Sequence, residues 1–498
     1  MHVGAVRHGF IGLGLLLTVG SMSACSRVEG ATPAAAAQAA ESAVDRPNIV
    51  FILTDDEDTE LHAFMPKTKV LLHEQGTTFD NYFVTYSLCC PSRATTLRGQ
   101  YPHSTGVRGN TPPLGGFETF RALGRETSTI ATWLRADGYR TAMFGKYLNG
   151  YQPAAGVPAG WSEWYVGGNA YRGYDYVLNE NGKSVSYGSR PEDFLVDVIA
   201  HKAADLIRRS AADKTPFFLY VAPFTPHGPS TAAPRHETLF EDAALPRSPA
   251  FDEADVSDKP AIIRNRPRLR PRMLARIEDV YRRRLRSLQS VDDLVDSLVT
   301  TLRTTGQLEH TYIIYASDNG FHLGEHRLLQ GKNTAYETDI RVPLVVRGPG
   351  VAAGKRESAM VLNNDLAPTF AAMAGAHLPE FVEGRSFLPL LTAKPASWGR
   401  AAFMIERRGG RDAQEEPGDT DGMFGANSFN ALRTRDHTYV EYATGERELY
   451  DLRRDPFQLD NIASRADAAL VRRLSVWLKA LATCVGAECR TAEDRLPQ

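Results

Sequence analysis

Cysteine is scarce in this chain, with five residues among 498: Cys25, Cys89, Cys90, Cys484 and Cys489. That excludes a small disulfide-scaffolded domain, and neither Cys89 nor Cys90 has a CxxC partner or a histidine at zinc spacing. No sign of charge dominates. The 57 basic and 59 acidic side chains leave a formal charge of -2, so no overall field favours nucleic acid or an anionic membrane surface. A polyanionic substrate would have to be met by local charge in a cleft. Long apolar runs are missing too. The stretch from Phe10 to Val19 is too short and too glycine-rich for a membrane span, and no repeat of fixed period occurs. What remains is an ordinary globular composition, 43% hydrophobic and 23% charged, at a length that suits one large domain and a smaller one.

The N-terminus is a separate matter. Arg7 and His8 precede the apolar run, and Ser21, Met22, Ser23, Ala24 and Cys25 follow it, which is the plan of a secretory signal. Cysteine at the cleavage position is similar to a bacterial lipobox, with Met22 in place of the usual Leu. Residues 1–25 are therefore read as a signal or lipoprotein leader and 26–45 as an Ala- and Pro-rich tether. The expectation is an exported protein, periplasmic or anchored to an outer membrane through a lipidated Cys25. In such a chain Cys484 and Cys489 are expected to bridge, whereas adjacent Cys89 and Cys90 are not.

From residue 46 onward, short apolar runs end abruptly in polar clusters. Ile49–Leu53 stops at Thr54-Asp55-Asp56, Thr141–Phe144 at Gly145-Lys146, Phe217–Ala222 at Pro226-His227-Gly228, and Tyr312–Ala316 at Ser317-Asp318-Asn319-Gly320. Continuous apolar runs of this length suit strands buried on both faces. Helical stretches lie between them, at Thr127–Ala136 and Met273–Leu302; in the second, Tyr281, Leu285, Leu288, Val291, Val295, Leu298 and Leu302 form one buried stripe. Strand–helix alternation predicts an α/β domain with a mostly parallel sheet sandwiched by helices, spanning 46–395. Ligands of such sheets gather at the carboxyl ends of the strands, so the four polar clusters are predicted to converge. The Arg-rich segment Arg264–Arg286 reads as the solvated face and leading loop of a core-packing helix. Residues 396–498 read as a smaller α+β subdomain: a charged loop from Arg407 to Gly422, strands at Ala431–Arg435 and Tyr439–Tyr442 on an antiparallel sheet, and a helix at Ala466–Leu481.

The most specific run is Cys89-Cys90-Pro91-Ser92-Arg93-Ala94-Thr95-Thr96-Leu97-Arg98-Gly99. It resembles the signature of the type I sulfatases, and the wider string Leu88–His103 is most similar to the N-acetylglucosamine-6-sulfatase and heparan endosulfatase branch. Arg98 departs from the Thr common at its position. The resemblance extends from about Asn48 to Ala463. It implies an alkaline-phosphatase-like fold and conversion of Cys89, by a formylglycine-generating enzyme, to an aldehyde whose hydrate is the nucleophile. The chemistry accounts for the residue types. A sulfate ester repels an incoming anion, so positive groups must surround the sulfur. A geminal diol offers one hydroxyl to attack and a second to expel sulfate. Arg93, always cationic and rigidly forked, can hold the diol or a nearby carboxylate.

Asp55, Asp56, Asp318 and Asn319 supply three carboxylates and an amide oxygen, a hard donor set suited to Ca²⁺ or Mg²⁺. The resemblance places metal ligands at these four positions and lets the converted Cys89 join them. Glu57 and Asp58 read as loop or cap residues. The resemblance also gives Lys146 and Lys332 a role in binding sulfate and His227 a role as general acid at the leaving oxygen. Many sulfatases carry a His two residues after the lysine; here that position is Leu148, followed by Asn149, and His322 and His326 stand as candidates for the eliminating base. The expected function is therefore a sulfatase acting on small-molecule or glycan sulfate esters, such as sulfated amino sugars or aryl sulfates. A phosphonate or phosphate monoester hydrolase of the same superfamily is the alternative, and a non-catalytic surface lipoprotein that binds sulfated glycans ranks behind it.

Overall fold

The computed structural model describes residues 46–392, 394, 397–409 and 428–495. The stretches read from sequence as a leader and a tether, and most of the loop 407–422, lie outside these residues. The described residues belong to one compact unit that spans 44–498.

Its centre is a ten-stranded sheet. The middle strands are β1 (Asn48–Thr54), β2 (Arg140–Lys146), β3 (Phe217–Ala222) and β4 (Thr311–Ser317), hydrogen-bonded in the order β4-β1-β3-β2 and all parallel. Glu163–Gly167 continues the parallel run beyond β2. The flanks are different: Leu344–Arg347 joins β4 antiparallel, and Tyr176–Glu180 and Lys183–Tyr187 close the other edge as a hairpin. Beyond Leu344–Arg347 the sheet runs on through Thr77–Phe79, antiparallel to it, to an edge strand Lys355–Glu357 that is parallel to Thr77–Phe79. The sheet is thus parallel through its centre and mixed towards its margins.

The side chains of β1 explain its central place. Ile49, Phe51 and Leu53 enter the core on one face of the sheet, and Val50 and Ile52 enter the core on the other, all fully buried. This is the period of two expected of a strand covered on both sides, and each such side chain contributes about 1.5–3 kcal/mol by leaving water. One face carries helix α1 (Cys89–Arg98); the other carries α2 (Leu195–Asp213) and α3 (Pro271–Thr304). In α3 the stripe from Tyr281 to Leu302 is buried, as its spacing predicts.

Other elements shift from their expected limits. The helix expected from Thr127 starts at Ile130, because Thr132 Oγ1 accepts from the Thr129 amide (2.9 Å) and sets the N-terminus there, after a separate turn at Arg125–Thr127. The C-terminal sheet has four antiparallel strands, β5 (Ala402–Arg407), β6 (Phe429–Thr434), β7 (His437–Tyr442) and β8 (Arg447–Asp451), of which the sequence reading found the inner two. Helix α4 (Ala468–Thr483) follows. Cys484 and Cys489 form a disulfide, while Cys89 and Cys90 are free and buried.

Candidate active site

The four polar clusters meet at the carboxyl edge of the central strands. Asp55 and Asp56 follow β1, Lys146 ends β2, His227 lies beyond β3, and Asp318 and Asn319 follow β4. Cys89 is the first residue of α1, where the helix dipole favours negative charge. Two glycines permit the close packing. Gly145 has φ +93°, and a Cβ there would lie 2.0 Å from the Ala222 carbonyl oxygen; at Gly320 it would lie 2.0 Å from that of Thr338.

The cluster is a lattice of opposite charges. Lys146 Nζ donates to Asp55 Oδ2 (2.7 Å), and Lys332 Nζ donates to Asp56 Oδ1 (2.6 Å) and approaches Cys89 Sγ (3.0 Å). The thiol is 3.3 Å from Asp55 Oδ1 and 3.8 Å from Asp56 Oδ1. Arg93 Nε donates to Asp318 Oδ2 (2.7 Å), and its Nη1 donates to the Lys146 carbonyl (2.9 Å). Asn319 Nδ2 donates to Asp56 Oδ1 (2.7 Å). His227 Nε2 is 3.6 Å from Asp56 Oδ2, and its Nδ1 meets the Gly228 carbonyl (2.8 Å). Asp56 has φ +67°, a left-handed backbone in which a non-glycine residue is strained.

These residues fit a divalent cation. Asp55, Asp56, Cys89 and Asp318 each offer a ligand atom within 4.8 Å of the others, all buried. Asp56 Oδ2 and Asn319 Oδ1 are buried with no hydrogen-bond partner, which is costly unless a cation faces them. Burial, helped by the Asp55 carboxylate, pushes Asp318 up to about 6; a cation among these oxygens would reverse that. Burial also acts to raise Asp55, but Lys146, His227, Arg93 and Lys332 outweigh it and hold the carboxyl well below the usual range. Burial and Asp55 push the Cys89 thiol far up, so as a thiol it stays protonated and is a poor nucleophile.

The remaining candidates fall elsewhere. Asp58 caps the helix Thr59–His62, accepting from the Leu61 amide (2.8 Å), as expected of a cap residue. Glu57 does more than a loop residue: it is buried and receives Thr54 Oγ1 (2.6 Å), Tyr315 OH (2.5 Å) and the His62 ring (2.7 Å). His322 is held by Asp339 (2.9 Å). His326 is bound to Glu253 (2.6 Å), stacks on Tyr336 and lines a neighbouring cleft instead of the one over Asp56. Arg98 is accommodated in the signature helix by donating to the carbonyls of Ser128 (2.6 Å) and Arg125 (3.1 Å) beneath the Phe381 ring. Sequence reasoning missed Tyr171, whose ring centroid is 4.5 Å from that of His227 and 5.0 Å from Lys146 Nζ. It also missed Asn110, which receives the Cys90 amide (3.0 Å). No local motif marks either residue.

A helix-sandwiched sheet, parallel at its centre and with this acid–lysine cluster at its carboxyl edge, defines an alkaline-phosphatase-like hydrolase. Solved structures agree: that of BT4656 in complex with its substrate D-glucosamine-2-N,6-O-disulfate matches with TM-score 0.73 and 25% identity, covering 87% of this chain and 97% of that one. A phosphonate monoester hydrolase from Silicibacter pomeroyi shares the fold, with TM-score 0.68 and 22% identity over 86% and 93% of the two chains. The family model for sulfatases matches residues 47–376, and that for the N-sulphoglucosamine sulphohydrolase C-terminal region matches 324–483. Human N-acetylglucosamine-6-sulfatase is 36% identical over 90% of this chain and 86% of its own length. An arylsulfatase of Volvox carteri is 37% identical over 91% and 77%. The chain belongs to the sulfatase family and is a sulfuric ester hydrolase.

Proposed function

We propose that this enzyme releases inorganic sulfate from O-sulfated amino sugars, using position 89 as formylglycine and a Ca²⁺ or Mg²⁺ ion held by Asp55, Asp56, Asp318 and Asn319. The observation that carries the reading is the buried Cys89 side chain set between Asp55 (3.3 Å) and Lys332 (3.0 Å) at the N-terminus of α1. Hydrated formylglycine would supply one hydroxyl to attack sulfur and another to expel sulfate, and the cation would withdraw charge from the sulfate oxygens.

The rest falls to this chain's own side chains. Lys146 and Lys332, each paired with an acid of the cluster, bring their ammonium charges to the sulfate. Arg93 fixes Asp318 through Nε and leaves Nη2 buried without a hydrogen-bond partner, 3.9 Å from Asp55 Oδ2. His227 is placed to protonate the departing alcohol oxygen, while its Nδ1 contact with the Gly228 carbonyl orients the ring. The doubled cysteine, the Lys146–Asn149 string and the amino-sugar sulfatases among its relatives support the substrate class. Export, with lipidation of Cys25, belongs to the same reading and is supported by the leader and by the Cys484–Cys489 disulfide. Among the described residues no helix is long and apolar enough to cross a membrane.

The test pairs mass spectrometry of the peptide spanning Cys89 with sulfate release from glucosamine 6-sulfate, an aryl sulfate and an aryl phosphonate. An aldehyde at position 89 and preferred turnover of the sugar are expected. An unmodified thiol in active enzyme, or preferred turnover of the phosphonate, would sink the proposal.

A further inference from the structure

The cleft over Asp56 and His227, about 460 Å³ in volume, has unequal walls. Four arginines line it, Arg172, Arg276, Arg283 and Arg284, against one carboxylate, Asp56, which belongs to the acid cluster in its floor. Arg284 is committed: buried, it reaches the Asp56 carbonyl and Asp58 (3.2 Å) and lies over the Phe321 ring. Arg283 is tied to Asp279 (3.0 Å) and donates to the Pro229 carbonyl (3.3 Å). Arg172 and Arg276 are exposed, and no carboxylate among the described residues pairs with either.

A cationic helix face is ordinarily just solvated. This one differs because it walls a concave site. Arg276, Val280 and Arg283 recur at i, i+4 and i+7, so one face of α3 lines the cleft over about 10 Å of helix axis. The neighbouring cleft has the opposite character, with Asp58, Glu60, Glu325 and Glu337 against Arg341, and Phe321 lies on the boundary of both. A polyanionic chain leaving the reaction centre is therefore repelled on one side of Phe321 and attracted on the other. Guanidinium forks match sulfate and carboxylate in two-point contacts, which suits arginine to this wall.

We infer that Arg172, Arg276 and Arg283 form an outer anion subsite, which takes a second negative group of the substrate while the first sulfate lies over Cys89. That group is a sulfate or a uronate carboxylate, and the inference rests on the sulfated amino-sugar reading above. The substrate is then a glycan with at least two anionic groups, laid along α3. Turnover of an isolated monosulfate uses only the floor of the cleft.

Binding separates this claim from the reaction itself. Affinities are measured on Cys89→Ala protein for glucosamine 6-sulfate, glucosamine 2-N,6-O-disulfate and a uronate-containing disaccharide of glucosamine 6-sulfate. Adding Arg172→Ala with Arg276→Ala is expected to weaken at least one dianionic ligand tenfold or more beyond its effect on the monosulfate, with Arg276→Lys intermediate. The ligand that responds identifies the second group as sulfate or carboxylate. Equal weakening of all three ligands, no weakening, or no binding of either dianionic ligand at millimolar concentration would overturn the subsite. If the discrimination is present but unmutated enzyme releases no sulfate from any of the three, the reaction proposal fails and the subsite stands.

Discussion

Lys332 Nζ lies 2.6 Å from Asp56 Oδ1 and 3.0 Å from Cys89 Sγ, so one ammonium bridges an acid of the proposed cation site and the side chain proposed as nucleophile. Both partners are buried, and the contact is made in low dielectric, where a fixed donor is worth far more than in water. Lys332→Met is expected to lower kcat/KM for sulfate release by about a hundredfold, the usual cost of one preorganised donor to developing charge. The acid cluster loses a counter-charge in the same variant, so cation affinity, read by calorimetry, is expected to rise as kcat/KM falls. A variant with parental kcat/KM would remove Lys332 from the reaction.

Chelation tests the acid cluster. With Asp55, Asp56 and Asp318 within 4.8 Å of one another, removal of a divalent ion leaves mutual repulsion that Lys146, Lys332, Arg93 and His227 offset in part. EDTA is expected to abolish sulfate release and lower the thermal midpoint, and Ca²⁺ or Mg²⁺ to restore both. At a hundred times its dissociation constant the ion would add about 2.7 kcal/mol to stability. Asp318→Asn is expected to remove most of that increment.

Acid sensitivity should trace to a pair of histidines. His62 Nε2 and His73 Nε2 lie 2.8 Å apart, so one ring nitrogen donates to the other. Burial, with His62 and Arg356 nearby, lowers His73 to about 3. Its folded value lies below its unfolded one, so the unfolded chain binds the extra proton as pH falls from about 6.5 towards 3. Stability is therefore complete above pH 6.5 and is lost below it, by up to about 1.4 kcal/mol per pH unit. Urea melts between pH 7 and 4 check this, and His73→Gln is expected to flatten the dependence.

The Cys484–Cys489 bridge closes a loop with a sequence separation of 5 residues. A loop that short restricts the unfolded chain little, and chain entropy gives about 2 kcal/mol as its contribution. Cys484→Ser with Cys489→Ser is expected to lower the unfolding free energy by that amount and leave kcat/KM unchanged. A loss of catalysis would show that the helix Ala487–Asp494 holds the site as well as the fold.

Much of this was legible in the sequence, for physical reasons that differ by element. The four central strands carry their own signal, because burial on both faces demands uninterrupted apolar runs, and polar groups at their ends have one edge on which to meet. The C-terminal sheet was half legible: β6 and β7 were found, whereas β5 and β8 carry charged residues, Glu406, Arg407, Arg447 and Glu448, that mask the apolar alternation. Glu448 sits among strand residues because the hydroxyls of Tyr336, Tyr442 and Tyr450 satisfy it; the last two are close in sequence, but Tyr336 reaches it from a distant part of the chain. Tyr171, Asn110 and the arginine wall are of the same kind. Composition marked Arg276 and Arg283 as solvated helix surface, and only the packing of α3 against the Pro226–Ser230 turn reveals that this surface borders a cleft.

The depth at which Cys89 lies fixes an order of events. Its side chain is fully enclosed by the finished fold, under Lys332 and between the acids of two strands. Any enzyme that acts on the thiol must therefore reach it while the surrounding chain is still open, and folding itself ends the opportunity. On the formylglycine reading proposed above, the active fraction of a preparation is decided during biosynthesis, as a race between maturation and closure, and later treatment of the folded pool does not raise it.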